Sequence, residues 1–209
     1  MITLHIKELP TFNAEKSVNC IIKDFLNVKE SDFIGSGYYS GVYENGIPGE
    51  VVKVSNDSDI GYRTYVDMIE EFKPTSRFLP RIIESYKFLG YRGNVASYAY
   101  KLERLNALCT EGELAEHHNQ HARTITHIFN SRINKLSCWG SSNVADIEHL
   151  VGSYIEDRDF NEAWAVIELA RELLHFERYD LHSANFMIRP ADGSLVITDP
   201  LSWTYSQQE

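Results

Sequence analysis

Between Phe33 and Leu105 the chain runs in short apolar stretches broken by turn residues; beyond that point its apolar residues recur at intervals of three and four. No single repeating architecture accommodates both patterns. The first part reads IGSG, GVYENGIPGEVVKVS, RIIESYKFLG and NVASYAYKLERL, with Asn45-Gly46 and Pro48-Gly49 as hairpin signals. One helix is expected among these strands, because Tyr65, Met68, Ile69 and Phe72 share a face and Pro74 follows as a stop. Ahead of them, Val18, Ile21, Ile22, Phe25 and Leu26, after Asn13 as a cap, predict an amphipathic helix packed on the strand-rich part. In the second part, residues 110–155 lean to helix with a break at 139–142. Asp159 is then expected to cap a helix carrying Ala163, Ile167, Ala170 and Leu174. A short apolar FMI, a PADG turn and the strand LVIT follow, with Asp199 at the end. The expected fold is α+β with two lobes: a helical extension over 1–29, a β-rich lobe over 30–102, and a mainly helical lobe over 103–209, joined near Leu102 to Leu105.

The totals narrow the range of partners. The chain has 209 residues, enough for a sizeable core, and its 43% hydrophobic content is spread without Gly/Ser or Pro-rich tracts. Twenty basic against thirty acidic residues leave a formal charge of -10, which opposes sequence-independent binding to nucleic-acid phosphates or to anionic membrane surfaces. Cys20, Cys109 and Cys138 are too few and scattered for a disulfide framework and read as buried thiols in a reducing cytoplasm. MITLHIKELP has no basic region followed by an apolar run, and no window approaches a membrane span, so neither export nor membrane insertion is expected.

Four separated features carry chemistry. The first is IGSGYYSGVY, where Gly35 and Gly37 free the backbone to turn tightly and approach a phosphate; a plain hairpin tip is the other use of such glycines. The second is Lys53 in VVKVS, on the same strand face as Val51 and Ser55. A buried ammonium there needs a partner, whereas an exposed one would be unremarkable. The third is YDLHSAN, with Asp180 five residues before Asn185: a carboxylate to accept a hydroxyl proton and a carboxamide oxygen suited to Mg²⁺, or simply an Asx-type turn. The fourth is Asp199, closing the strand VIT fourteen residues after Asn185, a further oxygen ligand for a hard cation. Their order, glycine loop, strand lysine, acid-to-amide loop and strand-end acid, suits phosphoryl transfer from ATP.

On these residues the chain, from about Phe33 to Asp199, resembles the protein-kinase-like superfamily. Its likeness is greatest to the early serine/threonine protein kinases of T-seven-like bacteriophages, through YDLHSANFMI and VITDPLSW. The resemblance implies a two-lobed protein-kinase-like fold with a reduced helical C-lobe, ATP and Mg²⁺ as cofactors, and host proteins as substrates in the host cytoplasm. It implies that Gly35, Ser36, Gly37, Ser40 and Val42 cover the nucleotide, with Ser40 where a third glycine usually stands. Lys53 would hold the α- and β-phosphates, and Leu102, Glu103 and Leu105 would form the hinge. Asp180 would be the catalytic base and Asn185 and Asp199 the metal ligands.

The pattern is also departed from. Arg178 and Tyr179 precede Asp180, His182 replaces the usual lysine, and Asp199 is followed by Pro200 and Leu201 in place of Phe-Gly. His182 could assist the transferred phosphate when protonated. Asp67, Glu70 and Glu71 all lie off the apolar helix face; Glu70 is the candidate partner for Lys53. Ten residues follow Asp199, so residues 110–155 are expected to supply support that longer kinases draw from later helices. Two rival functions remain open: a kinase-shaped protein inhibiting a host factor by contact, and a small-molecule phosphotransferase, which His182 suggests. Outside the four features, His117, His118, His121 and His127 read as a solvated helix face, with a zinc pair at His117 and His121 as the alternative. Trp139, Trp164 and Trp203 read as packing residues.

Overall fold

The computed structural model describes residues 32–92, 95–108, 113–133, 144–174 and 179–201. The expected helix within 1–29, the three cysteines, Trp139, Trp203 and Arg178 lie outside the described residues. The chain is α+β and divides into two compact units, Met1–Ser58 with Ile83–Leu102, and Asp59–Ile82 with Glu103–Glu209.

The first unit holds a five-stranded sheet in the order β1-β2-β3-β5-β4. Its strands are β1 (Phe33–Ser36), β2 (Ser40–Glu44), β3 (Glu50–Asn56), β4 (Ile82–Arg92, entering the unit at Ile83) and β5 (Val95–Glu103). Both hairpin signals take the backbone they promise, since Gly46 and Gly49 sit at φ 69° and 85°, where a side chain would be strained. Val52, Val54, Leu89 and Ala99 form its core, with Tyr43 against it.

The second unit contains α1 (Ile60–Phe72), α2 (Glu113–Ile133), α3 (Val144–Glu156), α4 (Arg158–Leu173) and a small antiparallel sheet. That sheet runs β6 (Asn106–Ala107), β7 (Phe186–Ile188), β8 (Leu195–Ile197). Helix α1, which the sequence intersperses among the strands, packs here: Tyr65, Met68 and Ile69 join Ile125, Phe129, Phe160, Ile167, Phe186 and Ile197 in one core. Phe72, expected on that apolar face, is 57% exposed, because α1 ends there and the chain turns away at Lys73. The cap of α4 is Asp157, not Asp159. Its Oδ1 accepts the N–H groups of Asp159 and Phe160 at 2.8 and 3.2 Å, and Asp159 instead lies in the first turn, where the helix dipole favours an acid. Trp164 packs as expected, its ring stacked on Phe129 at 4.4 Å. No described helix is long and apolar enough to cross a membrane.

Candidate functional site

In the first unit, antiparallel register sets the glycine-rich hairpin against the lysine strand. Gly35 pairs with Val42, Ser36 with Gly41, Ser40 with Ser55, and Val42 lies directly opposite Lys53. The tip is closed by the Gly37 N–H donating to Ser40 O at 2.9 Å; a Cβ at Gly37 would come within 3.3 Å of Ser40 Oγ. Lys53 is only 7% exposed, so the exposed-strand alternative for this ammonium fails. Val51 and Ser55, on the same face, are buried with it. A lysine kept inside a valine strand is costly unless a charged or polar group meets it.

In the second unit, main-chain hydrogen bonds assemble the acid-to-amide loop and the strand-end acid. Tyr179 bridges Leu201 in antiparallel sense, and the Asp180 N–H donates to Pro200 O at 2.8 Å. Five residues on, Asn185 O accepts from both Thr198 N at 2.9 Å and Thr198 Oγ1 at 3.1 Å. Asp199 is therefore bracketed: the residue before it is tied to Asn185 and the residue after it to Asp180. A 3-10 turn over Ser183–Asn185 sets the spacing, with the Asn185 N–H donating to His182 O at 2.9 Å.

The side chains follow. Asn185 Nδ2 donates to Asp180 O at 2.5 Å, which fixes the amide orientation, because only its nitrogen can face a carbonyl. Its Oδ1 is thereby left as the acceptor available to a cation. His182 Nδ1 accepts the Ala184 N–H at 3.3 Å, so in the neutral ring the proton sits on Nε2. Nε2 lies 3.2 Å from Asn185 Nδ2, itself a donor, and 3.7 Å from Asp180 Oδ1. At 3.7 Å the approach to Asp180 Oδ1 is beyond hydrogen-bond reach, and the Asp180 side chain is 42% exposed.

Tyr65 is a participant that the sequence presented as an ordinary core residue. Fully buried on α1, its hydroxyl donates to Ile197 O at 2.8 Å, two residues before Asp199. Burial first, and the Asp199 carboxylate second, push its phenol well above the ordinary tyrosine range. The available signal was a tyrosine rather than a phenylalanine on an apolar face, since a buried hydroxyl needs an acceptor.

The expected hinge residues behave differently from one another. Leu102 and Glu103 end β5, and Leu105 precedes β6. The Glu103 N–H is already given to Arg81 O at 3.1 Å, and its carboxylate takes Arg189 Nε and Nη2 at 2.9 and 2.7 Å together with the Arg81 N–H at 2.9 Å. Glu103 is thus a structural anchor, with no free main-chain donor for a purine. On α1, burial, opposed by Arg63 and aided by Glu70, raises the Asp67 pKa to about 6.

The histidine face is only partly solvated. His117 is exposed, but His121 is half-buried, hydrogen-bonded through Nδ1 to the Tyr154 hydroxyl, with its pKa lowered by burial and then by His117 and His118. Among the described residues no group of three or more His, Cys, Asp and Glu side chains could hold a metal ion. Asn185 Oδ1 and the Asp199 carboxylate are oxygen donors of the kind a hard cation takes. No protein-family model and no curated protein matches this chain.

Proposed function

We propose that the protein is an ATP- and Mg²⁺-dependent protein kinase of two-lobed, kinase-like architecture, transferring the γ-phosphoryl group to serine or threonine hydroxyls of host proteins during phage infection. The observation that carries this reading is the bracketing of Asp199 between Asn185 and Asp180, because phosphoryl transfer needs a base and a pair of cation ligands at fixed spacing. The donor set suits magnesium: one carboxamide oxygen, oriented by the amide's own bond to Asp180 O, and one carboxylate. When bound there by Asn185 and Asp199, the cation would offset the charge of the phosphate oxygens.

In this reading Asp180 accepts the hydroxyl proton of the substrate as the oxygen attacks the γ-phosphorus. The His182 ring stands beside that carboxylate, with Nε2 3.7 Å from Oδ1. Lys53 and the glycine hairpin of the first unit serve the nucleotide phosphates. Adenine would meet the main chain of Leu102, Glu103 and Leu105, where the Glu103 N–H is already given to Arg81 O.

Incubation with γ-labelled ATP and a host lysate tests the reading. Labelled protein bands that disappear with Asp180→Ala support it. Host effects that survive Lys53, Asp180 and Asp199 replacement point instead to a kinase-shaped binding protein, and label appearing in an amino-alcohol but in no protein points to a small-molecule phosphotransferase.

A further inference from the structure

A cleft of about 520 Å³ opens in the second unit where α1 ends, between the segment 73–82 and the turn that carries Arg189 and Asp192. It shares no residue with Asp180, His182, Asn185 or Asp199. Its wall is written by KPTSRFLPR, Lys73 to Arg81, three cations and no acid in a chain whose formal charge is -10.

The cations are not equivalent. Arg189 is nearly saturated: Glu103 takes Nε and Nη2, and Arg77 O and Leu79 O take further N–H groups at 2.9 Å each. Arg77 is held by Asp157 and lies over the Phe78 ring. Lys73 and Arg81 make no side-chain hydrogen bond or ion pair among the described residues. Two acids share the wall. Glu70 is engaged, and Asp192 accepts the Ser194 N–H at 2.9 Å, closing its own turn, while Arg189 and Arg81 also favour its charged form.

Lys73 is also the one non-glycine residue at positive φ among the described residues, at φ 45° and ψ 51° just past the end of α1. Glycine or asparagine takes that position at least cost, and strained backbone concentrates where a side chain has a task. A cation at a helix C-terminus also suits the helix dipole, which accounts for the charge at 73 alone. It does not account for Arg81, whose guanidinium makes no hydrogen bond among the described residues.

We propose that this cleft docks a phosphorylated side chain of a polypeptide. Lys73 and Arg81, neither with a side-chain hydrogen bond among the described residues, match the charge of about -2 on a phosphate monoester near neutral pH, and an arginine fork suits its oxygens. The volume is far more than one phosphate fills, and Pro74, Pro80, Ile69, Leu79 and Ile82 line the remainder, a surface for flanking peptide residues rather than for a free ion.

The experiment uses the full chain without nucleotide, so its outcome does not depend on whether Asp180 transfers phosphate. A mixture of short peptides with a fixed phosphoserine and randomised flanks is compared with the same mixture carrying serine or glutamate, and inorganic phosphate is added as competitor. Lys73→Gly removes the ammonium while relieving the left-handed backbone, so it keeps the fold; Arg81→Gln removes the fork. The proposal expects retention of the phosphoserine peptides alone, weakened roughly tenfold by each substitution. Equal retention of serine or glutamate peptides, or unchanged retention by the doubly substituted protein, overturns it. Inorganic phosphate competing as tightly as the phosphopeptides also overturns it, by assigning the cleft to a free anion.

Discussion

Asp180 gives its main-chain N–H to Pro200 O at 2.8 Å, so the segment carrying this proposed base is fastened to the residue immediately after Asp199. The bond uses only main-chain atoms and survives replacement of either acid. Asp180→Ala is therefore expected to leave the loop, and nucleotide affinity, within about twofold of the parent, while phosphoryl transfer falls on the order of 10²- to 10⁴-fold, the usual contribution of a positioned base. Nucleotide titration alongside single-turnover transfer checks this; an unchanged transfer rate would remove Asp180 from the mechanism.

Tyr65→Phe deletes one buried hydroxyl and leaves Ile197 O without its donor, with little change in shape. The expected cost is about 1–3 kcal/mol of stability, measured by denaturant unfolding. Loosening β8 two residues before Asp199 should also raise the magnesium concentration needed for half-maximal transfer, with KM for the protein substrate unchanged. A stability loss with no change in magnesium demand would make Tyr65 a core residue only.

Asp67 provides a pH test. Its folded pKa, raised from 3.8 to about 6 by burial, exceeds the unfolded value, so the native state favours the protonated carboxyl. That contribution is complete below about pH 4 and is lost as pH rises through about 6. At pH 7 the charged carboxylate therefore costs stability, and because the group is partly exposed the cost is about 1–2 kcal/mol rather than the full shift. Asp67→Asn should stabilise the protein by that amount at pH 7 and by nothing near pH 4. Thermal unfolding across this range decides it; a gain independent of pH would mean that ionisation at Asp67 is not the cause.

Where residues declare their environment locally, the sequence is a good guide. Asn45-Gly46 and Pro48-Gly49 dictate positive φ, and the apolar interval of α1 dictates a helix, so these elements were legible. Asp180, Asn185 and Asp199 stood out because polar residues interrupt apolar runs, and the structure ties their segments together by main-chain bonds. What sequence could not convey is which partner a polar group finds at long range. Glu103 reads as a hinge residue, yet its carboxylate is spent on Arg189, eighty-six positions away. Asp157 and Asp159 are both plausible caps two residues apart, and only the side-chain geometry separates them. His182 was opaque because the neighbours of its ring, Ala184 N on one side and the Asp180 carboxylate nearby, are relations of geometry rather than composition.

The Arg189–Glu103 pair shows how that long-range choice is enforced. Arg189 and Glu103 side chains are 3% and 11% exposed, and the guanidinium also binds Arg77 O and Leu79 O. Truncating one partner leaves a buried charge uncompensated and two carbonyl bonds competing for a mobile group. Glu103→Ala should therefore cost about 3–5 kcal/mol. Replacing both, as Arg189→Met with Glu103→Leu, removes the charges together and should recover part of the loss, although Arg77 O and Leu79 O then lack their donor. Chemical denaturation of Arg189→Met, Glu103→Leu and the double variant that combines them closes the cycle. A double variant as unstable as the sum of the singles would mean that the two side chains contribute independently, despite their 2.7 Å contact.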